Sequence, residues 1–273
     1  MARWRVIDTG ANDGAYNMAV DQVLGQGVAK SPVLRFYDWD PPAVSCGYGQ
    51  RSEREVDSAV CSALGIDIVR RPTGGRAVLH WEELTYSVVC DPRDLNVGGG
   101  EGVEGAHRTI AECLAVGLRL FGAAVEVERV RRPIERSQGP RATSPCFSSR
   151  ARWELKCQGR KLVGSAQRRF RDGLLQHGSI LLGPAHERLP ELMRIGDDRR
   201  EQWTAMLKES SIDLGECITR RVSRDELVAC LIMGFEERLG LEMRRDELHA
   251  DEVGRTTEFA GGQSPVALQE VGA

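Results

Sequence analysis

The chain has 273 residues, of which 41% are hydrophobic and 28% are charged, a composition typical of a globular protein. Its formal net charge of -3 argues against a nucleic-acid partner held by bulk positive charge. No apolar run approaches the roughly 18 residues that a membrane-spanning helix needs, and no apolar leader is evident, so we expect a cytoplasmic protein without a membrane partner.

The sequence contains eight cysteines, and no two are spaced as C-x-x-C. Neither a zinc motif nor a thioredoxin-like redox motif is therefore predicted. We expect free thiols in a reducing compartment. A buried cysteine usually behaves as a small hydrophobic residue, so a reactive one must be recognised by its surroundings.

The N-terminal half alternates short strands with helices. Asn12 or Asp13 is expected to cap the first helix, and Gly65 ends a second helix predicted over residues 55–64. A glycine-containing turn over residues 72–75 separates two strands. The predicted strands are residues 4–8, 33–37, 43–48, 66–70, 76–80 and 84–90.

The C-terminal half begins with a long amphipathic helix over residues 103–121, which Gly122 ends. Residues 130–149 lack periodicity, which indicates a functional or disordered loop. Strands 125–129, 153–157, 161–170 and 174–182 surround this loop, and short glycine-containing turns join the last three. Ser223 and Glu226 form a capping box that starts the last helix, and Gly240 ends it.

Mixed strands and helices without an internal repeat predict an α/β (α+β) fold with a mixed, largely antiparallel sheet flanked by helices. Residues 1–248 are assigned to one domain, and residues 249–273 to a polar C-terminal tail. Because residues 250–273 show no hydrophobic periodicity, we expect them to fray.

The first candidate site is the turn that contains Arg71, Gly74 and Gly75 and leads to His80. Glycine lets a backbone approach a ligand without a Cβ clash. The alternative is an ordinary hairpin turn with solvated arginines. The sequence has no Walker loop, and Gly98–Gly100 does not match the dinucleotide fingerprint.

The second candidate site lies on the strands that follow the long loop. In an extended strand Lys161 and Ser165 share a face, and Gly164 leaves space beside them. The alternative is an edge-strand lysine in water. His177 and Gly178 occupy the next strand, where a lone histidine is more often structural than catalytic.

Cys146 follows Pro145 in a loop rich in arginine and serine. Nearby cations lower the pKa of a thiol from about 8.5 toward neutrality, and Lys161, Arg141 and Arg150 are candidate cations. Cys146 is therefore the best candidate nucleophile among the cysteines. The arginines of this region could steer an acidic partner or form a solvated surface, and they are Arg129, Arg131, Arg132, Arg136 and Arg141.

These motifs, in this order and at these spacings, resemble the biotin and lipoate protein ligase family, and within it the cysteine-dependent octanoyltransferases of lipoate biosynthesis. The resemblance covers about residues 4–248. It is carried by RRPTGGRAVLH at 70–80, ELTYS at 83–87, CF at 146–147, GRKLVGSAQ at 159–167 and LQHGSILL at 175–182.

The resemblance implies that Cys146 forms an acyl-thioester and that Lys161 lowers the pKa of that cysteine. It implies octanoyl-acyl carrier protein as donor and a lipoyl-domain protein, such as the glycine cleavage H protein, as acceptor, with no cofactor and no metal. An acyl tunnel would lie against the glycine turn. The implied pocket residues are Arg71, Gly74, Gly75, His80, Gly164, Ser165, His177 and Gly178.

Three other functions stay open: an ATP-dependent lipoate ligase, an amidotransferase between lipoyl domains, and a non-catalytic module that binds such domains. Cys146 argues against the ligase, and the run from His80 to Ser87 favours the carrier-protein enzyme over the amidotransferase. The basic segment after Cys146 and the tail after residue 248 depart from the family pattern. These departures concern partner docking rather than chemistry.

Overall fold

The computed structural model describes residues 3–27, 31–95, 102–129, 153–171 and 173–262. The strands are β1 (Trp4–Asn12), β2 (Val33–Trp39), β3 (Ala43–Cys46), β4 (Asp67–Arg70), β5 (Val78–His80), β6 (Glu83–Cys90), β7 (Val125–Arg129), β8 (Trp153–Cys157), β9 (Arg160–Arg169), β10 (Leu174–Leu181) and β11 (Met243–Asp246). The main sheet has eight strands in the order β11-β1-β2-β6-β10-β9-β8-β7. β1 is parallel to β2 and to β11, and the other neighbours are antiparallel. The predicted fold class is confirmed.

Helices cover both faces of the main sheet, because neighbouring residues along its central strands pack in opposite directions. Val88 and Leu174 belong to the core completed by the helices at Gly102–Phe121 and Arg224–Leu239, whereas Val89 and Leu175 pack with Val20 of the helix at Gly14–Gln26. The helices are α1 (Gly14–Gln26), α2 (Ser52–Glu55), α3 (Ser58–Ala63), α4 (Gly102–Phe121), α5 (Asp197–Ser210), α6 (Leu214–Cys217), α7 (Arg224–Leu239) and α8 (Ala250–Gly262), with 3₁₀ helices at Pro92–Leu95 and Pro184–Leu192. Within the described ranges, no helix combines the length and apolarity that crossing a bilayer requires.

The predicted capping residues of two helices are confirmed. The Asp13 side chain accepts a hydrogen bond from the backbone N–H of Tyr16 at the start of α1. Ser223 accepts from the backbone N–H of Glu226 at the start of α7, and Gly240 ends that helix in the left-handed conformation with φ 67°. These local signals were readable because each uses side chains within one helical turn.

Two glycines set the close crossing of α4 and α7. A Cβ atom on Gly234 would lie 2.4 Å from the backbone nitrogen of Gly117, and one on Gly117 would lie 2.6 Å from the Cα atom of Leu231. A side chain at either position would force the helices apart. Gly117 and Gly234 therefore set the short distance between α4 and α7, the two helices that cover the face of the main sheet opposite α1.

A small second sheet, in the order β4-β3-β5, stands beside the main sheet and carries the glycine turn between β4 and β5. Its core contains Val44, Leu79, Leu189 and Trp203. Leu189 comes from the 3₁₀ helix Pro184–Leu192 and Trp203 from α5. Neither helix was predicted, because both carry many charged residues and few apolar ones. Their packing nevertheless supports the sheet from which the turn projects.

The helix predicted over residues 55–64 is wrong as a continuous element. The structure has α2 and α3 instead, and Val56 between them forms a β-bridge with Met193. Asp57 starts α3 by accepting hydrogen bonds from the backbone N–H groups of Ala59 and Val60. A tertiary contact and a new cap therefore interrupt the helical pattern.

The expected fraying of residues 250–273 is wrong for residues 250–262, which form α8, and residues 263–273 lie outside the described part of the chain. Arg5 Nη1 donates to Glu252 Oε1 at 2.7 Å, and Thr256 is fully buried. Residues just before α8 form β11, which extends the sheet next to β1. The division at residue 248 stays a prediction.

Deleting residues 249–273 should lower the free energy of unfolding by about 3 kcal/mol, because it takes Glu252 away from Arg5 and exposes the surface of α1 on which α8 packs. Urea denaturation followed by circular dichroism measures this change. Deletion of residues 263–273 alone, which retains α8, is the matched control. Equal unfolding midpoints for the two deletions would contradict a stabilising role for α8.

Candidate active site

A cavity of about 330 Å³ lies where the main sheet meets the small sheet. This volume is at the lower end of the range for small-molecule sites. Met18, Tyr37, Trp39 and Val78 give it apolar walls. Every predicted site residue that the structure describes lines this cavity, and these are Arg71, Gly74, Gly75, His80, Lys161, Gly164, Ser165, His177 and Gly178.

Arg71 holds the glycine turn in shape. Its Nη2 donates to the carbonyl oxygens of Gly74 at 3.0 Å and Arg76 at 2.7 Å, and its Nη1 donates to the carbonyl of Ser45 at 2.8 Å. Arg71 is only 4% exposed, so the alternative of a solvated arginine is wrong at this position. The turn therefore forms part of the cavity wall, and hydrogen bonds from Arg71 hold its conformation.

Gly75 and Gly47 allow the turn to lie against β3. Gly75 has φ 102°, and a Cβ atom there would lie 2.7 Å from Arg71 Nη2. A Cβ atom on Gly47 would come within 2.2 Å of the Gly75 carbonyl oxygen. Larger residues at either position would displace the turn from the cavity.

Lys161 is buried at the cavity wall, and the alternative of an edge-strand lysine in water is wrong. Its strand, β9, lies between β10 and β8, and the residue is 5% exposed. Lys161 Nζ lies 3.4 Å from Glu154 Oε1, and the side chains of both residues are almost fully buried. Glu154 was not predicted as a site residue, because nothing in the sequence of β8 distinguishes it.

His177 is held by a buried network behind the cavity. Its Nδ1 lies 2.9 Å from Asp21 Oδ2, and its Nε2 lies 2.7 Å from Thr73 Oγ1. Arg35 Nη1 also contacts Asp21, at 2.8 Å, with both side chains fully buried. The network joins α1, β2, the glycine turn and β10, so it positions the turn against the main sheet.

The protonation of this network follows from its burial. Burial lowers the pKa of His177, although the hydrogen bond and charge of Asp21 oppose that change. Burial alone would raise the pKa of Asp21, but the His177 hydrogen bond and the Arg35 charge outweigh it and lower that pKa. A carboxylate beside a neutral imidazole places the proton of His177 on Nδ1, so Nε2 accepts from the Thr73 hydroxyl.

His80 belongs to a second network, which faces the cavity. Its Nε2 lies 2.6 Å from Ser45 Oγ, and its Nδ1 lies 2.8 Å from Glu83 Oε1. The indole ring of Trp39 stacks on its imidazole with ring centroids 4.1 Å apart. Ser45 and Glu83 were not predicted as site residues; Glu83 falls in a motif quoted for the resemblance, but that motif did not reveal its contact with His80.

Gly164, Ser165 and Gly178 form the part of the wall where β9 and β10 run side by side. A Cβ atom on Gly178 would lie 2.4 Å from the Gly164 carbonyl oxygen and 2.8 Å from a ring carbon of Tyr86. Ser165 Oγ lies 2.8 Å from the Tyr86 hydroxyl. Gly178 is therefore required by packing, while Ser165 gives the wall a polar group.

Cys146 lies outside the described residues, as do Arg131, Arg132, Arg136, Arg141 and Arg150. Arg129 is described, and its Nη2 lies 3.2 Å from Glu104 Oε1 on the surface. Burial raises the pKa of Cys46 to about 11, of Cys61 to about 11 and of Cys113 to about 12. These buried thiols lack the acidity of a nucleophile. In the described ranges, no three His, Cys, Asp or Glu side chains are grouped to hold a metal ion.

The sequence matches the lipoyl protein ligase A/B catalytic domain family over residues 13–236. It is 40% identical over 256 residues to octanoyltransferase LipM of Kyrpidia tusciae, covering 92% of this chain and 93% of the relative. It is 36% identical over 256 residues to octanoyltransferase LipM of Bacillus subtilis, covering 92% of this chain and 91% of the relative.

Solved structures share the fold. A lipoate-protein ligase A determined with bound ATP superposes with a TM-score of 0.71 at 24% identity, covering 95% of this chain and 94% of that one. A bipartite lipoate protein ligase from Thermoplasma acidophilum superposes with a TM-score of 0.75 at 23% identity, covering 95% and 92%. At these identities the likeness concerns the fold alone.

Proposed function

Because this chain belongs to the lipoyl protein ligase A/B catalytic domain family, we propose that it is an octanoyltransferase of lipoate biosynthesis that carries the octanoyl group on Cys146. The donor is octanoyl-acyl carrier protein, and the acceptor is a lysine of a lipoyl-domain protein. The observation that supports this function best is the shared cavity, which collects the residues assigned to acyl binding from three separate stretches of sequence.

The first half-reaction loads the enzyme. The Cys146 thiolate attacks the carbonyl carbon of the donor thioester, a new C–S bond forms, and the carrier thiol leaves with the electrons of the old C–S bond. One thioester replaces another, so the step is close to thermoneutral and needs no nucleotide. Lys161 supplies the positive charge that favours the thiolate, and Glu154 holds Lys161 at the cavity wall.

The second half-reaction forms the product. A neutral lysine amine of the lipoyl domain attacks the acyl-enzyme carbonyl, and a C–N bond forms as an amine N–H bond breaks. The C–S bond breaks with its electrons leaving on the sulfur of Cys146, and the released proton neutralises this thiolate. The apolar side chains of Met18, Tyr37, Trp39 and Val78 suit the octanoyl chain, because burying methylene groups is favourable by about 0.8 kcal/mol each. The enzyme thus holds the acyl chain while its two protein partners exchange places.

The glycine cleavage H protein is the acceptor that we propose first, since its lipoyl domain presents the lysine that lipoylation modifies. We place the reaction in the cytoplasm, because a thiol nucleophile needs a reducing compartment. Two of the three other candidate functions differ from this one in their donor: free acid with ATP for a ligase, and an octanoylated lipoyl domain for an amidotransferase. The third, a non-catalytic binding module, would give no product from any donor.

The proposed function is tested by offering these donors separately. With octanoyl-carrier protein and the H protein, octanoylated H protein should form in the presence of EDTA and without nucleotide. Free octanoate with ATP and magnesium should give little product, and so should an octanoylated lipoyl domain. If product formed only from free acid and ATP, the enzyme would be a ligase rather than a transferase from carrier protein. If product formed only from the octanoylated domain, the enzyme would be an amidotransferase.

A further inference from the structure

A second cavity, of about 660 Å³, adjoins the cavity that holds the octanoyl chain in the proposed function, which we call the acyl cavity. Gly74 and Gly75 line both cavities, so the glycine turn borders each of them. Both glycines are exposed, and a Cβ atom on Gly74 would have no neighbouring atom within 4 Å. A ligand that covers the turn would therefore extend from one cavity into the other.

The rim of the second cavity is basic. Among the described residues that line it, the charged ones are Arg54, Arg76, Arg194, Arg199 and Glu55. The carboxylate of Glu55 is already engaged, because Gln50 Nε2 donates a hydrogen bond to its Oε2. Positive charge is therefore in excess around the cavity, which suits an anionic ligand group.

Two of these arginines are available to a ligand. Arg54 and Arg199 are exposed, and within the described ranges neither guanidinium makes a hydrogen bond or an ion pair. Arg194 differs from them, because its Nε donates to the carbonyl of Val56 at 2.9 Å. A guanidinium binds phosphate strongly through two parallel hydrogen bonds, so phosphate is the anion that these side chains fit best.

The floor of the second cavity is apolar. Leu189, Met193 and Trp203 line it and belong to the core of the small sheet. The cavity thus places an apolar surface next to a basic rim. This combination suits a phosphate joined to a chain that carries methyl and methylene groups.

Positive charge continues outside the second cavity. Arg51 follows a lining residue in the chain, and Arg70 Nη1 donates to the carbonyl of Tyr48, the residue before another. Both arginines are exposed, and they outweigh the single negative charge of Glu53 near them. A ligand attached to an acidic protein would be attracted here more strongly than the same ligand alone.

We propose that the second cavity binds the phosphopantetheine arm of the donor acyl carrier protein, with the phosphate of the arm at Arg54 and Arg199. This inference rests on the proposed function, because its donor carries the octanoyl thioester at the end of such an arm. The phosphate meets the basic rim, and the methyl and methylene groups of the pantetheine meet the apolar floor. With the arm laid across the glycine turn, the octanoyl chain enters the acyl cavity.

The phosphate contact is tested with two probes that differ by one phosphate group, 4′-phosphopantetheine and pantetheine, in calorimetric titrations at millimolar concentrations. Wild-type protein should bind phosphopantetheine about tenfold more tightly, because a hydrogen bond to a charged group contributes more than a neutral one. The double variant Arg54→Gln, Arg199→Gln should lose this preference and keep its affinity for pantetheine within a few-fold. A folding defect would weaken the binding of both probes alike.

Gly49→Trp tests the position of the arm by filling the second cavity. Gly49 lines this cavity, its φ lies outside the left-handed region, and a Cβ atom there would meet no atom within 4 Å. An indole at this position should weaken the binding of both probes by about tenfold. KM should also rise more for octanoyl-carrier protein than for octanoyl-N-acetylcysteamine, a thioester that lacks the phosphate and most of the arm.

Arg221→Gln is the matched control, because Arg221 is an exposed arginine that lines neither cavity and its loss changes the net charge equally. Its affinity for both probes should match that of the wild type. Equal binding of the two probes by the wild type, or the same loss of preference in Arg221→Gln, would overturn the proposal. So would tighter binding of ATP than of phosphopantetheine, or a lower KM for octanoyl-coenzyme A than for octanoyl-carrier protein.

These outcomes are distinct from failure of the proposed function, because the titrations need no acyl transfer. If the wild type preferred phosphopantetheine but formed no acyl-enzyme from octanoyl-carrier protein, the proposed function would be wrong and the binding site would remain. If an acyl-enzyme formed while the two probes bound equally, only the site for the arm would be wrong.

Discussion

Replacing Cys146 with serine should reduce octanoyl transfer by at least about 10³-fold, since removal of a covalent nucleophile costs an enzyme at least this much. A serine hydroxyl stays protonated at neutral pH even beside a cation, so it cannot replace the thiolate as attacking group. Steady-state turnover with octanoyl-carrier protein and the H protein measures the effect.

Cys61→Ser is the control for this substitution, because Cys61 is a buried thiol of α3 whose pKa is raised to about 11 by burial. Its activity should stay within a few-fold of the wild type, measured on folded protein. Full activity of Cys146→Ser, or loss of activity only in Cys61→Ser, would show that Cys146 is not the nucleophile.

Lys161→Met should raise the pKa of Cys146 toward or above the free-thiol value of about 8.5, because the substitution removes the positive charge that we assign to stabilising the thiolate. At pH 7 this shift lowers the thiolate fraction, and we expect turnover to fall by about tenfold or more. Glu154 also loses its contact with Lys161, so the variant is expected to be less stable. Iodoacetamide alkylation of Cys146 across pH reports the thiol pKa directly.

Lys156→Met is the matched control, since Lys156 is a partly exposed lysine of β8 that lies 2.5 Å from Glu128 and 3.9 Å from Glu154. Its alkylation profile should match that of the wild type. An unchanged profile in Lys161→Met would show that Lys161 does not stabilise the thiolate and acts elsewhere, for example on the acyl carbonyl.

Much of the fold was predictable because the relevant signals are local. Most strands of the main sheet contain apolar runs bounded by turns, and the caps at Asp13, Ser223 and Gly240 act within a helical turn. The edge strand β11 was not predicted, because its sequence, Met-Arg-Arg-Asp, has no apolar run. α5 and α8 were missed because their sequences are mostly polar, and packing against distant residues stabilises them instead. The break after α2 depends on Met193, far along the chain.

Some residues of the candidate site were also predictable from local sequence, whereas their hydrogen-bond partners were not. Arg71, Gly75 and Lys161 stand in recognisable motifs, so the sequence could point to them. The partners that orient the site could not be paired, because their contacts join distant positions: His177 meets Asp21 across 156 positions, and His80 meets Ser45 across 35. Charge networks of this kind follow from the assembled fold rather than from sequence spacing.

The central claim is that the octanoyl group passes through a thioester on Cys146, and intact-protein mass spectrometry tests it most directly. Wild-type enzyme incubated with octanoyl-carrier protein, without nucleotide or acceptor, should gain the mass of one octanoyl group. Peptide mapping should place that group on Cys146, and hydroxylamine should remove it. Absence of an adduct while transfer to the acceptor proceeds, or an adduct on another residue, would contradict the account.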